Sequence, residues 1–433
     1  MTQNNIVILG AGFGGLRVAL DLQKKLPSPE WQIYLVDRND CHLYIPLLYE
    51  VATGYFGNNK PTEEILAQGC CLNISQLLGK RVQFLQDEVV RIDCKKKSIS
   101  LRDGKTLQFS YLVLALGSAP DYFGVPGLEA NACTFGGLAD ALKLRRRISD
   151  FIERKRKGEL SKINIIIGGG GATGVEFAAE LVQSFLCLKN YGVLRAGDWQ
   201  ITLVEALPRL LSVLSLKASA LALARLEKQG VKIMLDTCIK SAAPGEIILA
   251  PRPLKSGEKE NDLVCEFLPE HEKKMKADLI VWAGGIKSNG LLAQCGLTTD
   301  RKGRVEVNAQ MRVKDMEDVF ALGDNALLIN PQNNQAVPML AQAAIAEAKI
   351  AAKNIASLIQ GMALINYSFP EFPTANPIGG KRAIIVFKNL IFDGFVGWVV
   401  RQAADLRYFL SIMPLFAALN FFFRGVRVYT KND

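Results

Sequence analysis

Two glycine-rich segments have the residue types and spacing of a dinucleotide-binding turn, and the clearer one lies in mid-chain. Gly169, Gly171 and Gly174 form a GxGxxG motif between the apolar run 163–167 and a helical pattern over 175–188. The glycines permit a tight turn, a close approach of phosphate to the backbone, and close packing of the helix on the strand. Free N–H groups at the start of the helix favour a diphosphate. This segment therefore predicts a strand, a phosphate-binding turn and a helix.

The N-terminus carries the same pattern. Its glycines are Gly10, Gly12, Gly14 and Gly15, and they follow the strand-like run 6–9. A single GxGxxG motif is weak evidence, because ordinary glycine-rich turns also match it. Two copies in one chain, each between a strand pattern and a helix pattern, predict two nucleotide-binding units.

An acidic residue ends the second predicted strand of each unit. Asp37 follows the apolar run 33–36, and Glu205 follows the run 201–204 after an insertion near 189–199. An acid at this place can hydrogen-bond the ribose hydroxyls of a dinucleotide.

Composition places the chain among ordinary globular proteins of two to three domains. Of its 433 residues, 49% are apolar and 22% are charged, and the net charge is +10. A basic balance favours nucleic acid or an anionic membrane surface as partner, and the absence of a recognisable nucleic-acid module favours the membrane. The polar N-terminus before the first motif predicts no secretory signal and hence a reducing compartment.

The cysteines and histidines suggest no redox pair and no metal site. The nine cysteines include no CxxC or CxxxxC, so Cys70 and Cys71 are predicted to be buried thiols. Cys41 is the one cysteine close after the first glycine motif, and it has no evident partner there, which argues against a disulfide reductase. His42 and His271 are isolated, and no cluster has metal-ligand spacing.

Four other segments lead to less specific predictions. The segment HLYIPLLYEVATG, 42–54, either fills the core or forms one wall of an apolar ligand pocket. Residues 82–109 predict a small β-meander. The charged run 138–157, with ArgArgArg at 145–147, predicts a connecting helix with a solvated face. Residues 251–276 predict a loop or a β-excursion.

The C-terminal run Tyr408 to Phe423 is mostly apolar, but its sixteen residues are short of the ~20 that span a bilayer. Pro414 interrupts it. Basic residues flank the run, namely Arg401, Arg407, Arg424, Arg427 and Lys431. This pattern predicts a segment that lies on an anionic membrane surface. The alternative is a helix pair in a core or a dimer interface.

Several motifs together resemble the flavoproteins with two dinucleotide-binding domains. Besides the glycine motifs, they are ALGS at 115–118, WAGG at 282–285 and FALGDNA at 320–326. Within that family the chain is similar to the membrane-associated type II NADH:quinone oxidoreductases, on the segments PLLYEVATG at 46–54, GATGVEFAAEL at 171–181, VEALPRLL at 204–211 and AQAA at 341–344.

The resemblance implies an α/β fold of two Rossmann-type domains, the second inserted in the first. The expected parts are an FAD-binding domain over 1–125 and 303–366, an NADH-binding domain over 126–302, and a C-terminal membrane-associating helical region over 367–433. It also implies NADH oxidation through FAD with reduction of a quinone, without proton pumping, in a respiratory chain. The expected location is peripheral, on the cytoplasmic face of the inner or plasma membrane, with a possible homodimer and no nucleic acid.

The resemblance also assigns site residues. FAD is expected on Gly10, Gly12, Gly14, Gly15, Asp37, Arg38, Ala115, Gly117, Asp324 and Gln342. NADH is expected on Gly169, Gly171, Thr173, Gly174, Glu176, Glu205, Gly284 and Gly285. Quinone is expected on Pro46, Leu47, Gln342 and Ile378. Glu176 and Gln342 are the expected catalytic residues, which orient ring or quinone oxygens, and Glu50 is a candidate proton source. No metal is implied.

Two departures from the family fall on the acceptor side, and one of them is the segment ANPIGGKRA at 375–383, which matches only loosely. The family's AQxAxQ segment has Ala346 in place of its second glutamine, followed by Glu347. The alternatives are a demethylphylloquinone reductase, a sulfide:quinone oxidoreductase, or a redox sensor that keeps NADH and FAD with little turnover. A sulfide:quinone oxidoreductase needs paired cysteines at the flavin, one of them late in the chain, and no cysteine follows Cys295.

Overall fold

The computed structural model of the protein describes residues 4–26, 30–57, 60–252 and 272–432. The chain forms two compact units. The first unit comprises Met1–Leu43, Cys71–Ala119 and Ile286–Phe372. The second comprises Tyr44–Cys70, Pro120–Gly285 and Pro373–Asp433. Most of the predicted 251–276 loop lies outside the described residues.

The helices and strands are numbered in chain order. The helices are α1 Phe13–Lys25, α2 Leu48–Thr53, α3 Glu63–Cys70, α4 Ile74–Leu77, α5 Leu128–Asn131, α6 Leu138–Arg156, α7 Ala172–Asn190, α8 Leu216–Lys228, α9 Leu291–Gln294, α10 Ala341–Ile359, α11 Phe395–Ile412 and α12 Leu415–Tyr429. The strands are β1 Asn5–Leu9, β2 Gln32–Asp37, β3 Cys41–Leu43, β4 Cys71–Asn73, β5 Val82–Gln86, β6 Val89–Asp93, β7 Ser98–Leu101, β8 Thr106–Gln108, β9 Tyr111–Leu114, β10 Ser118–Pro120, β11 Ala132–Cys133, β12 Ile163–Gly168, β13 Trp199–Val204, β14 Lys232–Met234, β15 Thr237–Ala243, β16 Glu246–Pro251, β17 Lys273–Lys276, β18 Leu279–Trp282, β19 Ile286–Ser288, β20 Val305–Glu306, β21 Val319–Ala321, β22 Ala326–Leu327, β23 Ile329–Asn330, β24 Gln335–Ala336, β25 Thr374–Pro377, β26 Ala383–Phe387 and β27 Leu390–Phe392.

The first unit is built on a parallel sheet with strand order β21-β9-β1-β2-β5. The central strand β1 is buried along its whole length, which explains why its sequence is a continuous apolar run rather than an alternating one. Helix α1 follows β1 and packs against α10. Strands β6, β7 and β8 form a separate antiparallel meander, and β3 pairs with β4.

The second unit repeats this plan. Its parallel sheet has the order β11-β18-β12-β13-β14, so the strand before the glycine motif is again central. Two antiparallel sheets, β15-β16-β17 and β25-β26-β27, complete the unit together with α11 and α12. The predicted α/β fold with two glycine-motif units is thus present.

The two compact units divide the chain at other positions than the predicted domain boundaries, which stay a prediction. The chain returns to the first unit at Ile286 rather than at 303, and the segment Tyr44–Cys70 belongs to the second unit. The C-terminal residues from Pro373 onward also belong to the second unit rather than forming a region of their own. Strand β5 pairs with β2 in the main sheet and is not part of the meander.

The prediction that Cys41 lacks a partner is wrong. Cys41 and Cys71 form a disulfide between β3 and β4, at the two ends of the Tyr44–Cys70 segment. Since the two strands bring residues 30 positions apart side by side, spacing alone did not reveal the pair. Cys70 is a buried thiol as predicted, and burial raises its pKa to about 11. The same prediction for Cys71 is wrong, because its sulfur is in the disulfide.

The charged helix α6 also differs from its prediction at one position. Arg145 is buried, and it donates hydrogen bonds to the carbonyl oxygens of Gly54 at 2.6 Å and Tyr55 at 3.2 Å. Its guanidinium lies over the ring of Phe56, 4.5 Å from the ring centre. The side chain therefore holds the segment that follows α2, whereas the sequence predicted a solvated face for the whole triplet.

The glycine motif of the second unit generates a prediction about stability. A Cβ at Gly174 would overlap the carbonyl oxygen of Gly169, whereas a Cβ at Gly171 would meet nothing within 4 Å. Gly171 also has φ −72°, which alanine adopts readily. We expect Gly174→Ala to lower the free energy of unfolding by about 3 kcal/mol or more, because backbone must move to admit the methyl group.

The matched control is Gly171→Ala, for which we expect an unfolding free energy within about 1 kcal/mol of the parent. Denaturant unfolding of both variants in the absence of added nucleotide measures the difference. Equal destabilisation by both substitutions would contradict the packing role of Gly174.

Candidate active site

Two side chains hold the backbone of Ala11, which lies within the glycine motif of the first unit. Asp37 accepts a hydrogen bond from the backbone N–H of Ala11 at 2.7 Å, and its other carboxylate oxygen accepts from the N–H of Asn39 at 2.8 Å. The Nδ1 of His42 donates to the carbonyl oxygen of Ala11 at 2.8 Å. Burial lowers the pKa of His42 to about 4, so this imidazole is neutral at physiological pH.

Glu205 has the same place in the second unit. One carboxylate oxygen accepts from the backbone N–H of Gly170, and the other accepts from the N–H of Leu207 at 2.8 Å. Burial is the largest influence on Glu205, and it raises the pKa of the carboxyl. The two acids predicted to bind ribose therefore also hold the glycine turn that would carry the phosphates.

Both glycine turns fit a diphosphate. Helices α1 and α7 begin after Gly12 and Gly171, and neither helix has a side-chain cap. A Cβ at either glycine would meet no protein atom within 4 Å, so the space beside these helix N-termini is open. Uncapped N–H groups next to open space are the arrangement that accepts a phosphate. Thr173, in the first turn of α7, is exposed beside this space.

The ALGS and ALGD segments meet in the first unit. Asn325 is fully buried, and its Oδ1 accepts from the N–H of Leu116 at 2.5 Å. Its Nδ2 donates to the carbonyl oxygen of Gly117 at 2.9 Å and to Ser288 at 2.8 Å. The buried amide, which follows β21, therefore joins the loop after β9 to the end of strand β19. Asn325 was not among the predicted site residues.

Two carboxyl groups lie close together at this end of the first unit. Glu347 is 2% exposed and accepts from the backbone N–H of Gly323 at 2.6 Å. Burial is the main cause that raises the pKa of Glu347 to about 8; the hydrogen bond from Gly323 opposes this shift and the neighbouring Asp324 adds to it. Burial also raises the pKa of Asp324, although Ser118 and Arg304 act in the opposite direction. The residue that follows the altered AQ segment is thus a buried carboxyl that fixes the turn before Asp324.

The remaining residues predicted for FAD lie at several places in the first unit. The carbonyl of Ala115 lies against Gly10, where a Cβ would overlap it. Gly14 packs against Leu322 and Ala344. Arg38 is exposed directly after Asp37. Gln342 is exposed in the first turn of α10.

In the second unit, Glu176 lies among charged side chains. It projects from the first half of α7, and Asn376 on β25 donates its Nδ2–H to Glu176 Oε1 at 3.4 Å. Burial raises the pKa of Glu176 to about 8, whereas Arg401 and Asn376 oppose the shift. Glu176 is therefore protonated at neutral pH and can release its proton in mildly alkaline conditions.

Arg401 forms the centre of a buried network. It is 7% exposed, and it donates to Asp405 at 2.7 Å and to the carbonyl oxygen of Pro46 at 3.3 Å. The hydroxyl of Tyr44 donates to the other oxygen of Asp405. Burial is the largest influence and lowers the pKa of Arg401, but Asp405, Tyr49, Tyr44 and Glu176 together raise it by more, so the guanidinium stays charged. The prediction that Arg401 is a basic flank at a membrane surface is wrong.

Two adjacent cavities open beside this network. The first is lined by Tyr49, Glu50, Glu180, Pro377, Gly379, Gly380, Lys381, Arg382, Trp398, Arg401, Gln402, Tyr429 and Thr430. The second is lined by Leu47, Glu50, Gly69, Gln402, Asp405, Phe409, Phe421, Phe422, Gly425, Val426, Tyr429 and Thr430. Glu50 borders both cavities and accepts a hydrogen bond from Tyr49 at 3.0 Å.

The residues predicted for quinone have different surroundings. Leu47 lines the second cavity, and the Pro46 carbonyl is bound by Arg401. Ile378 is 2% exposed and lines neither cavity, although its neighbours Pro377 and Gly379 line the first. The segment 42–54 contributes to the core through Leu48, which is buried, and to a cavity wall through Leu47.

The glycines of the WAGG segment lie at the end of β18. Gly284 is close to the ring of Trp282, and the carbonyl oxygen of Gly285 accepts from the N–H of Asp121 at 3.0 Å. The indole N–H of Trp282 donates to the carbonyl oxygen of Asp121 at 2.8 Å. A Cβ at Gly284 would overlap the ring of Trp282, and a Cβ at Gly285 would overlap the ring of Phe123, which explains the two glycines after Ala283.

Sequence reasoning missed the residues that surround Glu176. Asn376 lies 200 positions from Glu176, and Asp405 lies 361 positions from Tyr44. The one local signal was the spacing of Arg401 and Asp405, which is that of an i,i+4 ion pair on a helix.

The buried carboxyl of Glu347 generates a prediction about pH. Its pKa is about 8 in the folded protein and near its ordinary value of 4.5 in the unfolded chain. The folded state therefore binds more protons between these values, so stability falls as pH rises from about 4.5 to 8. We expect Glu347→Gln to flatten this fall by up to a few kcal/mol, since the amide oxygen can still accept from Gly323.

Chemical unfolding of parent and variant at pH 5 and pH 8 measures the effect. The control is Glu317→Gln, because the Glu317 side chain is exposed. An unchanged pH dependence in Glu347→Gln would show that this carboxyl is not the group responsible.

Comparison with known proteins places these features in a family. The family described as pyridine nucleotide-disulphide oxidoreductase matches residues 4–348. A type II NADH:quinone oxidoreductase of Haemophilus influenzae is 32% identical over 411 residues, which cover 88% of this chain and 86% of the relative. The enzyme of the same name from Staphylococcus saprophyticus is 27% identical over 94% of this chain and 95% of the relative.

Two solved structures share the fold. NDH2 from Plasmodium falciparum, solved in complex with NADH, has a TM-score of 0.80 at 16% identity, with 99% of each chain covered. The sulfide:quinone oxidoreductase of Aquifex aeolicus has a TM-score of 0.75 at 18% identity, with 96% of this chain and 92% of that chain covered. From the family match and the extent of sequence identity, the chain belongs to the pyridine nucleotide-disulphide oxidoreductase family and, within it, to the type II NADH:quinone oxidoreductases.

Proposed function

We infer that the protein oxidises NADH and passes the electrons through a bound flavin to a quinone. The observation that carries this inference is the 32% identity to a type II NADH:quinone oxidoreductase over 88% of the chain, and the family match over residues 4–348 spans both glycine motifs and Glu176. The structure adds two dinucleotide turns with open helix N-termini and a protonated carboxyl in the second unit.

The flavin is FAD in this proposal. Gly10, Gly12 and Gly15 in the first unit would hold its diphosphate, and Asp37 would bind its ribose. Gly14 and Arg38 border that site, and Asp324 lies with Ala115 and Gly117 where the loops after β1, β9 and β21 meet. When bound, the flavin supplies the acceptor for hydride and the donor of two electrons. The protein's contribution is to position the rings and exclude water.

NADH would bind the second unit. Gly169, Gly171, Thr173 and Gly174 surround the open N-terminus of α7, and Gly284 and Gly285 lie at the end of the neighbouring strand β18. Glu205 would bind the adenosine ribose and repel a 2′-phosphate. Because Glu205 is already fixed by two backbone N–H groups, its negative charge is held in one place, which favours NADH over NADPH.

The overall reaction requires one proton in addition to the hydride. NADH and one proton reduce a quinone to a hydroquinone and leave NAD⁺, so the hydride brings both electrons and only one of the two hydrogens. We propose Glu176 as the donor of the second proton, because its carboxyl is protonated at neutral pH. Glu50, which borders both cavities, is the neighbouring carboxyl through which the proton of Glu176 would reach the quinone.

The second cavity is the better candidate for the acceptor. It combines an apolar wall of Leu47, Phe409, Phe421 and Phe422 with polar groups at Glu50 and Gln402. Quinones combine an apolar ring and tail with two carbonyl oxygens, and pockets for such ligands are apolar with few polar groups. Pro46 lies on the same loop as Leu47, and Gln342 and Ile378 stay predicted contacts of the ring.

Steady-state kinetics test the proposed function. We expect FAD-loaded protein to oxidise NADH with turnover that depends on a short-chain ubiquinone or menaquinone, and to prefer NADH over NADPH by roughly 100-fold or more in kcat/KM. Bleaching of the flavin by NADH without quinone-dependent turnover would instead favour the redox sensor. Turnover with sulfide in place of NADH would favour a sulfide:quinone oxidoreductase.

A membrane surface is the proposed location, on the cytoplasmic face. None of the helices among the described residues is long and apolar enough to cross a bilayer. The predicted apolar run forms parts of two helices, α11 and α12, which separate at Pro414. Large apolar side chains are exposed on these helices and the preceding hairpin, including Leu390, Phe392, Phe395, Val396, Val399, Leu415, Phe416 and Phe423. Exposed basic residues accompany them, namely Arg407, Arg424, Arg427 and Lys431.

Sedimentation with liposomes tests this location. Phe416 is 84% exposed, and insertion of its ring into lipid contributes free energy that an aspartate would forfeit. We expect Phe416→Asp to weaken binding to phosphatidylglycerol vesicles by roughly tenfold or more. Val213→Asp is the control, because Val213 is 89% exposed but lies away from α11 and α12 in the sequence. Equal binding of both variants would contradict insertion of α12, and a dimer through this segment would then be tested by light scattering.

A further inference from the structure

Asn376 is a buried amide whose one hydrogen bond among the described residues is to Glu176. It lies on β25, is 5% exposed, and its Nδ2 is 3.4 Å from Glu176 Oε1. Its Oδ1 is buried and has no hydrogen-bond partner among the described protein atoms. A buried amide oxygen without a donor costs free energy, so this position calls for an explanation.

The chemistry of Glu176 supplies that explanation. An ionised carboxylate accepts a hydrogen bond and therefore pairs with the amide Nδ2–H of Asn376. A protonated carboxyl donates a hydrogen bond and therefore pairs with the amide Oδ1. A half-turn of the amide about its Cβ–Cγ bond would bring the orphaned oxygen of Asn376 to the protonated form of Glu176, so the amide can offer one partner to each form in turn.

The other groups around Glu176 lack this property. Arg401 on α11 is a fixed cation, committed to Asp405 and the Pro46 carbonyl, and it favours only the ionised form. Glu50 on α2 and Asp405 favour only the protonated form. The remaining titratable neighbours are Tyr49 on α2, which donates to Glu50, and Glu180, one helical turn along α7 and bound by Asn432.

We propose that Asn376 is a positioning residue that holds Glu176 in place in both protonation states, so that Glu176 can give up a proton and regain one during quinone reduction. The inference rests on the proposed role of Glu176 as proton donor. In the step concerned, the O–H bond of Glu176 breaks and its proton passes to Glu50, which lines the second cavity and gives up its own proton to form an O–H bond on the quinone oxygen. The two electrons come from NADH by way of the flavin. The carboxylate left behind is then bound by the Nδ2–H of Asn376.

The test is the pH dependence of kcat at saturating NADH and quinone. In the parent we expect kcat to fall as pH rises through about 8, because Glu176 then loses its proton. Asn376→Asp replaces the amide by a second carboxyl that repels the ionised form of Glu176. We expect the fall in kcat to move up by about one pH unit and kcat at pH 7 to drop roughly three- to tenfold.

Three further variants separate this role from a structural one. Asn376→Leu removes both hydrogen-bonding groups at similar volume. We expect it to raise the pH at which kcat falls, but by less than Asn376→Asp does. Asn190→Asp makes the same change at the exposed far end of α7, and we expect it to leave the profile unchanged. In a Glu176→Gln background we expect kcat not to fall near pH 8, and we expect Asn376→Asp to leave the pH profile of that background unchanged.

Stopped-flow measurement of the two half-reactions completes the design. Reduction of the flavin by NADH should keep its parental rate in the Asn376 variants, whereas reoxidation by quinone should slow. A uniform loss of activity at every pH in both Asn376 variants, with no shift of the profile, would overturn the inference while the role of Glu176 stands. If Glu176→Gln kept full activity and the parental profile, the proposed proton donor and this inference would both fail.

Discussion

A buried guanidinium imposes the strongest constraint on the second unit. Arg401 is charged and nearly inaccessible, so its burial would be strongly unfavourable without hydrogen-bond acceptors and an opposite charge beside the guanidinium. Asp405 and the carbonyl of Pro46 meet that requirement, and Tyr44 in turn binds Asp405. The loop that carries the predicted quinone residues and the C-terminal helix α11 are therefore fixed to each other by one ion pair. The field of this cation also reaches Glu176 and limits how far burial can raise the pKa of that carboxyl.

The two dinucleotide turns show how one local solution serves two cofactors. In each unit a strand ends in an acid whose carboxylate binds a backbone N–H of the glycine turn. The turn is consequently shaped before any nucleotide arrives, so binding requires little further ordering of the backbone. The contrast lies beyond the turns. The first unit has the buried carboxyls Asp324 and Glu347 near its turn, whereas the second has Glu176, the proposed proton donor.

Features encoded within a few neighbouring residues could be predicted from the sequence. The glycine turns, the central strands and the acids Asp37 and Glu205 each follow from a short pattern. Contacts between distant segments could not, because nothing in the local sequence near Cys41 or Asn376 indicates the partner that the fold supplies. The wrong prediction for Arg401 has a physical explanation. Its position beside an apolar run suggested a lipid surface, but an i,i+4 carboxylate allowed it to be buried instead.

The bond between Glu205 and the N–H of Gly170 has a consequence for redesign of the nucleotide preference. A common route to an NADPH-dependent enzyme is to replace the acid by a neutral or basic residue. Here that exchange would also release the backbone of the glycine turn, so the engineered site would lose order at the diphosphate while it gained room for the 2′-phosphate. A successful change of nucleotide would therefore need a second substitution that supplies a new acceptor to Gly170. The proposed preference for NADH and the geometry of the glycine turn therefore depend on the same carboxylate.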